Sequence, residues 1–309
     1  MGAALASLFF VLAGLAVSAP AQAAKVYISP DGVRHTLAAV QPQAQSGRKG
    51  APPQRGRRDG PVAPKALLAG TYWYAAGAQT PTTPPTGMSA NVDVPTVTVA
   101  ANDHSLVELD LETPRLVGGV SKRQIVELGF NVDPGLYGNS NPHLFVGAWR
   151  DEVFLGYNGG GGYTAFTNTC GYTAGQTETA GVSVKLQIIH GGTPSGWWLY
   201  RGTCAFGYYP DTTWSGSGIT FTSGQTAQAF GEVWDNAGAG TTPTDMGNGT
   251  LAAVGPPAAG ANIGSILYDA QPSGNVSMTW FKITPGGGAT QYNIAGLSGR
   301  TGRYGGPGF

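Results

Sequence analysis

Residues 124–132 read Gln-Ile-Val-Glu-Leu-Gly-Phe-Asn-Val, and residues 227–234 read Ala-Gln-Ala-Phe-Gly-Glu-Val-Trp. Each run sets a glutamate in the middle of a stretch with period two, the spacing at which successive side chains of a strand fall on opposite faces. Ile125, Gly129 and Asn131 share the face of Glu127; Gln228, Phe230 and Trp234 share that of Glu232. A face that mixes Glu, Gln, Asn and aromatic residues suits a polar groove laid across a sheet, with the opposite face left for a core.

Further strands are expected at Thr96–Ala100, Ser105–Leu111, His143–Trp149, Val182–Ile189, Gly196–Arg201, Gly264–Ala270 and Val276–Thr284, between turns of Gly, Pro, Asn and Ser. The Pro-rich run Thr80–Thr86 reads as a surface connection. No intervening stretch holds a helical period, and no unit repeats at a fixed spacing, so neither a propeller nor a solenoid is expected. Composition agrees. Glycine makes up 50 of 309 residues, and charged residues are 11%, against roughly 25% in average proteins. Each interior glycine costs a helix about 1 kcal/mol, which excludes a coiled coil or helical bundle. With 41% hydrophobic and 10% aromatic residues the chain can bury a core and is not disordered throughout. The residues therefore point to an all-β protein, an antiparallel sandwich or an open barrel.

The formal net charge of zero hides an asymmetry. Residues 25–65 carry eight basic side chains (Lys25, Arg34, Arg48, Lys49, Arg55, Arg57, Arg58, Lys65) against Asp31 and Asp59, a net +6; the remaining nine basic and fifteen acidic residues give −6 from residue 66 onward. The basic stretch is rich in Pro, Gln and Gly without apolar periodicity, so mobility is expected. It has no Phe, Tyr or Trp between Ile28 and Thr71, which argues against a nucleic-acid arm. A detachable segment drawn to an acidic domain is the better reading. Ala3–Ala19 is an uncharged apolar run followed by the small-x-small pattern Ala21-Gln22-Ala23, read as a signal peptide over 1–23 and hence secretion. The run is too short for a membrane span, so no stable membrane association is expected. The two cysteines, Cys170 and Cys204, then meet an oxidising compartment; one bridge is expected, two buried thiols being the alternative.

Which chemistry fits? His35, His104, His143 and His190 lack metal-ligand spacing, and neither a metal nor another cofactor is expected. There is no G-x-S-x-G elbow and no P-loop; a Ser-His triad, being geometric, stays open. Glutamate is scarce: Glu108, Glu112, Glu127, Glu152, Glu178 and Glu232. Two mid-strand carboxylates brought together would share a proton, leaving one as general base and the other protonated to polarise a carbonyl. The alternative is that each is a polar residue on a solvated face.

Several short stretches then recur in a recognisable order: His104–Glu108, Ile125–Phe130 leading to Asp133-Pro134-Gly135-Leu136-Tyr137-Gly138, Pro142–Val146, Gly196–Leu199, Gly207–Pro210, Phe230–Val233, Asp245–Gly249 and Gly305–Gly308. In these the chain from about Tyr72 onward resembles the neprosin family of glutamic peptidases. The resemblance implies a secreted antiparallel β-sandwich of two curved sheets, of the concanavalin-like or glutamic peptidase type, over 70–309. It implies a pro-segment, here 24–69, as an intramolecular partner. It matches the family's two glutamates to Glu127 and Glu232, which together activate water and stabilise the tetrahedral intermediate. Trp197, Tyr208 and Tyr209, with Asn131, Gln228 and Trp234, are expected to line substrate subsites, since flat rings pack well on proline; ordinary core is the alternative for the rings. The implied substrate is polypeptide, cleaved near proline in acidic medium. At neutral pH the basic leader would lie over the acidic domain, and acid would loosen it. A lectin-like carbohydrate-binding sandwich and a two-carboxylate glycoside hydrolase are the competing readings.

Overall fold

The computed structural model describes residues 25–46, 49–53, 70–215, 220–237, 242–254, 259–268, 276–283 and 291–308. The expected signal peptide, and the part of the leader from 54 to 69, lie outside these. In chain order the strands are β1 (Tyr27–Ile28), β2 (Arg34–Leu37), β3 (Thr71–Gln79), β4 (Gly87–Asp93), β5 (His104–Val117), β6 (Val120–Val132), β7 (His143–Arg150), β8 (Val153–Phe154) and β9 (Thr164–Thr167). They continue with β10 (Ser183–Gly191), β11 (Gly196–Arg201), β12 (Cys204–Pro210), β13 (Thr226–Asp235), β14 (Ala261–Tyr268), β15 (Thr279–Ile283), β16 (Asn293–Ser298) and β17 (Thr301–Gly305). Two four-residue helices, α1 (Pro134–Tyr137) and α2 (Thr212–Ser215), are brief interruptions.

The strands form two antiparallel sheets: a seven-stranded one in the order β15-β3-β13-β5-β6-β7-β8, and a ten-stranded one in the order β1-β2-β9-β12-β11-β10-β4-β14-β17-β16. They pack face to face as a β-sandwich. Between them Val107, Leu109 and Leu111 of β5 and Val126, Leu128 and Phe130 of β6 meet Val92, Leu186, Ile188, Trp197 and Leu199 from the other sheet. Alternation then sends Glu108, Asp110, Glu127, Asn131, Gln228 and Glu232 to the opposite face of the seven-stranded sheet. That face is not bare. Tyr72, Tyr74, Leu106, Phe145, Tyr157, Phe230 and Trp234 form a second buried cluster on it.

Thr96–Ala100 joins no strand ladder. Its amides go to a loop instead: Thr96 N donates to Gly247 O, Thr98 N to Asp245 Oδ2 and Ala100 N to Thr244 Oγ1. Alternation in sequence reports an extended chain with two faces, and side-chain acceptors can satisfy such a chain as well as a neighbouring strand does. Conversely β3 and β4 escape a sequence reading, because Ala, Gly, Ser and Asn weaken the β signal of TYWYAAGAQ and GMSANVD.

The leader departs most from expectation. Instead of a mobile tail, β1 and β2 extend the ten-stranded sheet at β9, and Tyr27 packs with Phe166, Trp198 and Tyr208 on its outer face. Gln45 exchanges two backbone hydrogen bonds with Tyr157, both 2.9 Å. Residues 49–53 then reach the polar face of the other sheet. A segment poor in apolar residues is ordered here by pairing its backbone with strands that already exist.

Candidate active site

β5 runs between β13 and β6, with Glu232 opposite Leu106 and Glu127 opposite Asp110. The register therefore places Glu127 and Glu232 on strands flanking one central strand. All of Glu108, Glu127 and Glu232 are fully buried, and Lys49 of the leader is 3% exposed. The Lys49 ammonium stands 2.8 Å from Glu108 Oε1, 3.4 Å from Glu232 Oε2 and 3.7 Å from Glu127 Oε1.

The two sequence-derived glutamates sit in different surroundings. Glu232 Oε1 is 2.6 Å from His104 Nε2, and the Gly50 amide donates to the same oxygen at 3.4 Å. Burial works to raise the Glu232 carboxyl, but Lys49, then His104 and Gly50, outweigh it and hold the group below the ordinary range. Glu127 Oε1 accepts from Trp149 Nε1 at 2.6 Å, while its Oε2 is buried without a hydrogen-bond partner. Burial dominates there, against Lys49 and Trp149, and pushes Glu127 up to about 7. Glu108 lies well above its usual range through burial and the neighbouring Glu127. Lys49, which burial alone would discharge, is held charged by the three carboxylates. Two carboxyls whose environments drive them apart form the acid and base pattern expected of a hydrolytic pair.

The leader crosses this face as a strap. Tyr74 Oη donates to Ala51 O at 3.3 Å and Arg123 Nη1 to Pro52 O at 2.9 Å. Ala51 packs on Ile125 and Trp149. Pro53 closes one side of a cavity of about 570 Å³ lined also by Gln79, Glu112, Arg123, Gln228 and Thr279. Glycines permit the fit at two places. A Cβ on Gly50 would lie 2.2 Å from Tyr74 Oη and 2.9 Å from Glu232 Oε2, and one on Gly147 would lie 2.5 Å from Glu127 Oε2.

Of the expected subsite residues, Gln228, Asn131 and Trp234 are on the glutamate face. Gln228 faces the cavity, Asn131 has buried, unpartnered amide atoms, and the Trp234 ring is 5.8 Å from that of His104. The other three are corrected. Trp197 and Tyr209 belong to the core between the sheets, with Trp197 Nε1 donating to Phe221 O. Tyr208 lies on the far face of the ten-stranded sheet beneath Tyr27. Strands β11 and β12 belong to the sheet that does not carry the glutamates, so neither of their faces reaches the site. Lys49, Glu108, His104 and Trp149 are the additions. Glu108 and His104 had a visible signal, since His104, Glu108, Asp110 and Glu112 share one parity in the run His104–Glu112.

Two serine–histidine contacts lack the geometry of a triad. Asp211 Oδ1 and Ser195 Oγ both address Nε2 of His190, whereas a relay needs them on opposite ring nitrogens. At Ser29 the hydroxyl lies between His35 and Asp31, so the carboxylate holds the serine and not the ring. Among the described residues no group of His, Cys, Asp and Glu is arranged to hold a metal ion. Cys170 and Cys204 are joined in a disulfide.

The site is thus a set of buried carboxylates on one face of a two-sheet antiparallel sandwich. The Neprosin family model matches residues 102–283, more than half of the chain, and the protein belongs to that family. It is a peptidase. Among solved structures it is similar in fold to scytalido-glutamic peptidase with a transition state analog inhibitor, at 10% identity and a TM-score of 0.43, over 77% of this chain and 100% of that one. It is similar also to SCP-B, a member of the Eqolisin family of peptidases, in a complex with the tripeptide Ala-Ile-His, at 8% identity and a TM-score of 0.40, again over 77% and 100%.

Proposed function

We propose that the protein is a secreted glutamic endopeptidase, made as a precursor whose own leader occupies the active site, and that it hydrolyses polypeptides in acidic medium. The observation carrying this reading is the convergence of Glu127 and Glu232, in opposed environments, on one point filled by Lys49. With the strap gone, that point is open to a peptide. Glu232, held by His104 after Lys49 and Gly50 have left, takes a proton from the attacking water. Glu127, whose carboxyl burial pushes up even against Lys49, keeps its proton in acid and donates a hydrogen bond from Oε2 to the scissile carbonyl oxygen, stabilising the tetrahedral intermediate. Collapse of that intermediate passes a proton to the leaving amine and restores both carboxyls.

The acidic optimum follows from the requirement that one carboxyl be protonated. Export is supported by the apolar run at Ala3–Ala19 with its Ala-x-Ala pattern. A preference for proline-containing substrates is consistent with Ala51-Pro52-Pro53 crossing the site, the Ala51 carbonyl met by Tyr74 and that of Pro52 by Arg123.

The test is digestion of a proline-rich protein at roughly pH 3–5, where one of two coupled carboxyls holds its proton, with products read by mass spectrometry. Glu127→Gln and Glu232→Gln should each lose about 10³-fold in kcat while keeping the far-ultraviolet spectrum and unfolding cooperativity of the parent. Release of sugars in place of peptides, or full proteolysis by both variants, would overturn the assignment.

A further inference from the structure

Arg123 of β6 is buried, and its N–H groups divide between the domain and the strap. Glu152 accepts from Nε at 2.7 Å and from Nη2 at 3.1 Å, the parallel two-bond pairing that fixes the plane of a guanidinium. Nη1 donates to Glu112 Oε2 at 2.8 Å and to Pro52 O at 2.9 Å. Glu112 and Glu152 belong to the domain and stay. Pro52 belongs to the segment whose departure opens the site, so the Nη1 bond to its carbonyl is the one a substrate inherits.

The domain accepts strain to hold this geometry. Asp151 and Glu152 are the two residues that join β7 to β8. Their φ values of 55° and 65° lie in the left-handed region, where glycine or asparagine is the unstrained choice for such a turn. Both positions instead carry carboxylates engaged with arginines, Asp151 with Arg115 and Glu152 with Arg123. Backbone strain of this kind persists where the surrounding structure holds it, and it gathers at ligand clamps.

We propose that Arg123 is a substrate-binding residue of the released enzyme, donating from Nη1 to a backbone carbonyl of the polypeptide that replaces the strap. This rests on the reading that the leader lies where substrate lies. Tyr74 Oη donates to the preceding carbonyl, that of Ala51. Tyr74 comes from β3 and Arg123 from β6, on either side of the β13–β5 pair. Successive residues of an extended chain turn their carbonyls to opposite sides, so the two donors stand as one extended chain lying between them requires. The strap meets Glu232 through the Gly50 amide, and Pro52 comes after Ala51 along the chain. The carbonyl that Arg123 takes in a substrate therefore lies beyond the residues flanking the scissile bond. Every residue has a carbonyl, proline included, so this contact reads the length and extension of the chain and not a side chain. It favours cleavage within a polypeptide over trimming at its end.

The experiment uses the full chain in acid and a proline-rich peptide whose cleaved bond has been located by mass spectrometry. Three substrates are compared: the long peptide, and two versions cut back to a single residue on one side of that bond or the other. Removing Arg123 alone would leave Glu112 buried without its cation, so Arg123→Met is combined with Glu112→Gln, and Glu112→Gln alone is the reference. Loss of a hydrogen bond from a charged donor should raise KM of the long peptide by about tenfold or more, with kcat near that of the reference. One truncated peptide should suffer likewise. The other, lacking the residue that Arg123 holds, should be indifferent to the substitution. In the reference chain, replacing that residue's carbonyl by an alkene isostere should cost the long peptide the same factor, and the two losses should not add. Equal loss on all three peptides would make Arg123 structural and overturn the proposal. So would an unchanged KM for the long peptide, or additive losses at every carbonyl tested. Calorimetry on the full chain carrying Lys49→Met and Glu127→Gln needs no turnover, and there the Arg123 change should weaken binding of the long peptide by the same factor. Hydrolysis by that chain would overturn the dyad reading alone, and the comparison of the three peptides would still decide the role of Arg123.

Discussion

At Glu127 the role proposed for a single side chain comes with a cost in stability. Its carboxyl is pushed up to about 7, while an unfolded chain ionises its glutamates near 4.3. Between those two values the native state holds a proton that the unfolded state has released, so stability falls as pH rises through this window. Glutamine at 127 keeps the size and a donor but cannot ionise. Glu127→Gln should therefore be inactive and, at about pH 8, no less stable than the parent, its pH–stability curve flattened between roughly 4.3 and 7 in thermal unfolding. A variant whose melting temperature still declined as steeply over that window would place the titration elsewhere. Glu232 has the opposite sign. Its carboxyl is depressed, so it supports the closed form above the ordinary glutamate range and withdraws that support as acid protonates it. The sequence marks both residues through their mid-strand parity, but only their neighbours, Trp149 for one and His104 for the other, give them different roles.

At the scale of elements, the site depends on how closely β7 and the strap approach the glutamates. β7 lies beside β6 with Gly147 opposite Glu127, and the missing side chain is the space into which Oε2 projects. Gly147→Ala should turn the carboxyl out of line and lower kcat of the released enzyme by about 10²-fold, with the fold intact by circular dichroism. Gly50→Ala should act the other way: its Cβ meets Tyr74 and Glu232, so the strap lifts and, if the leader blocks the site as proposed, the uncleaved chain becomes active. Equal loss of activity in both variants would mean that the strap is part of the working enzyme. The strands carrying the glutamates read clearly because their other face is a run of Val, Leu and Phe between the sheets. The subsite aromatics did not. A pair such as Trp197 and Trp198 looks alike on any strand, and which sheet it joins is set by partners distant in sequence.

At the scale of the whole molecule, and among the described residues, the opposed charges of leader and domain meet in a buried contact. Lys49 supplies one unit of the leader's +6 and is placed among three carboxylates. Removing one partner of a buried ion pair typically costs ~3 kcal/mol or more, roughly a hundredfold in the occupancy of the closed form. Lys49→Met should therefore activate the precursor at neutral pH without cleavage, whereas Lys25→Met at the distant edge should leave latency as it was. In the parent, opening should begin only as pH falls below the usual glutamate range, because Glu232 is depressed while the strap is bound; proteolysis measured against pH on uncleaved protein checks this. The Cys170–Cys204 bridge spans 34 residues, and the chain-entropy account assigns such a loop about 3–4 kcal/mol. Serine at both positions should lower the melting temperature without moving the pH profile. The sequence by itself determined the all-β class, the two glutamate strands and the charge asymmetry, because alternation, turn residues and local charge are properties of neighbours along the chain. The tertiary structure decided which carboxyl stands beside His104, that a third glutamate joins the pair, and that Lys49 of the leader sits among them. These are contacts between residues up to 183 positions apart, formed by strand register and sheet pairing, and no local pattern encodes them.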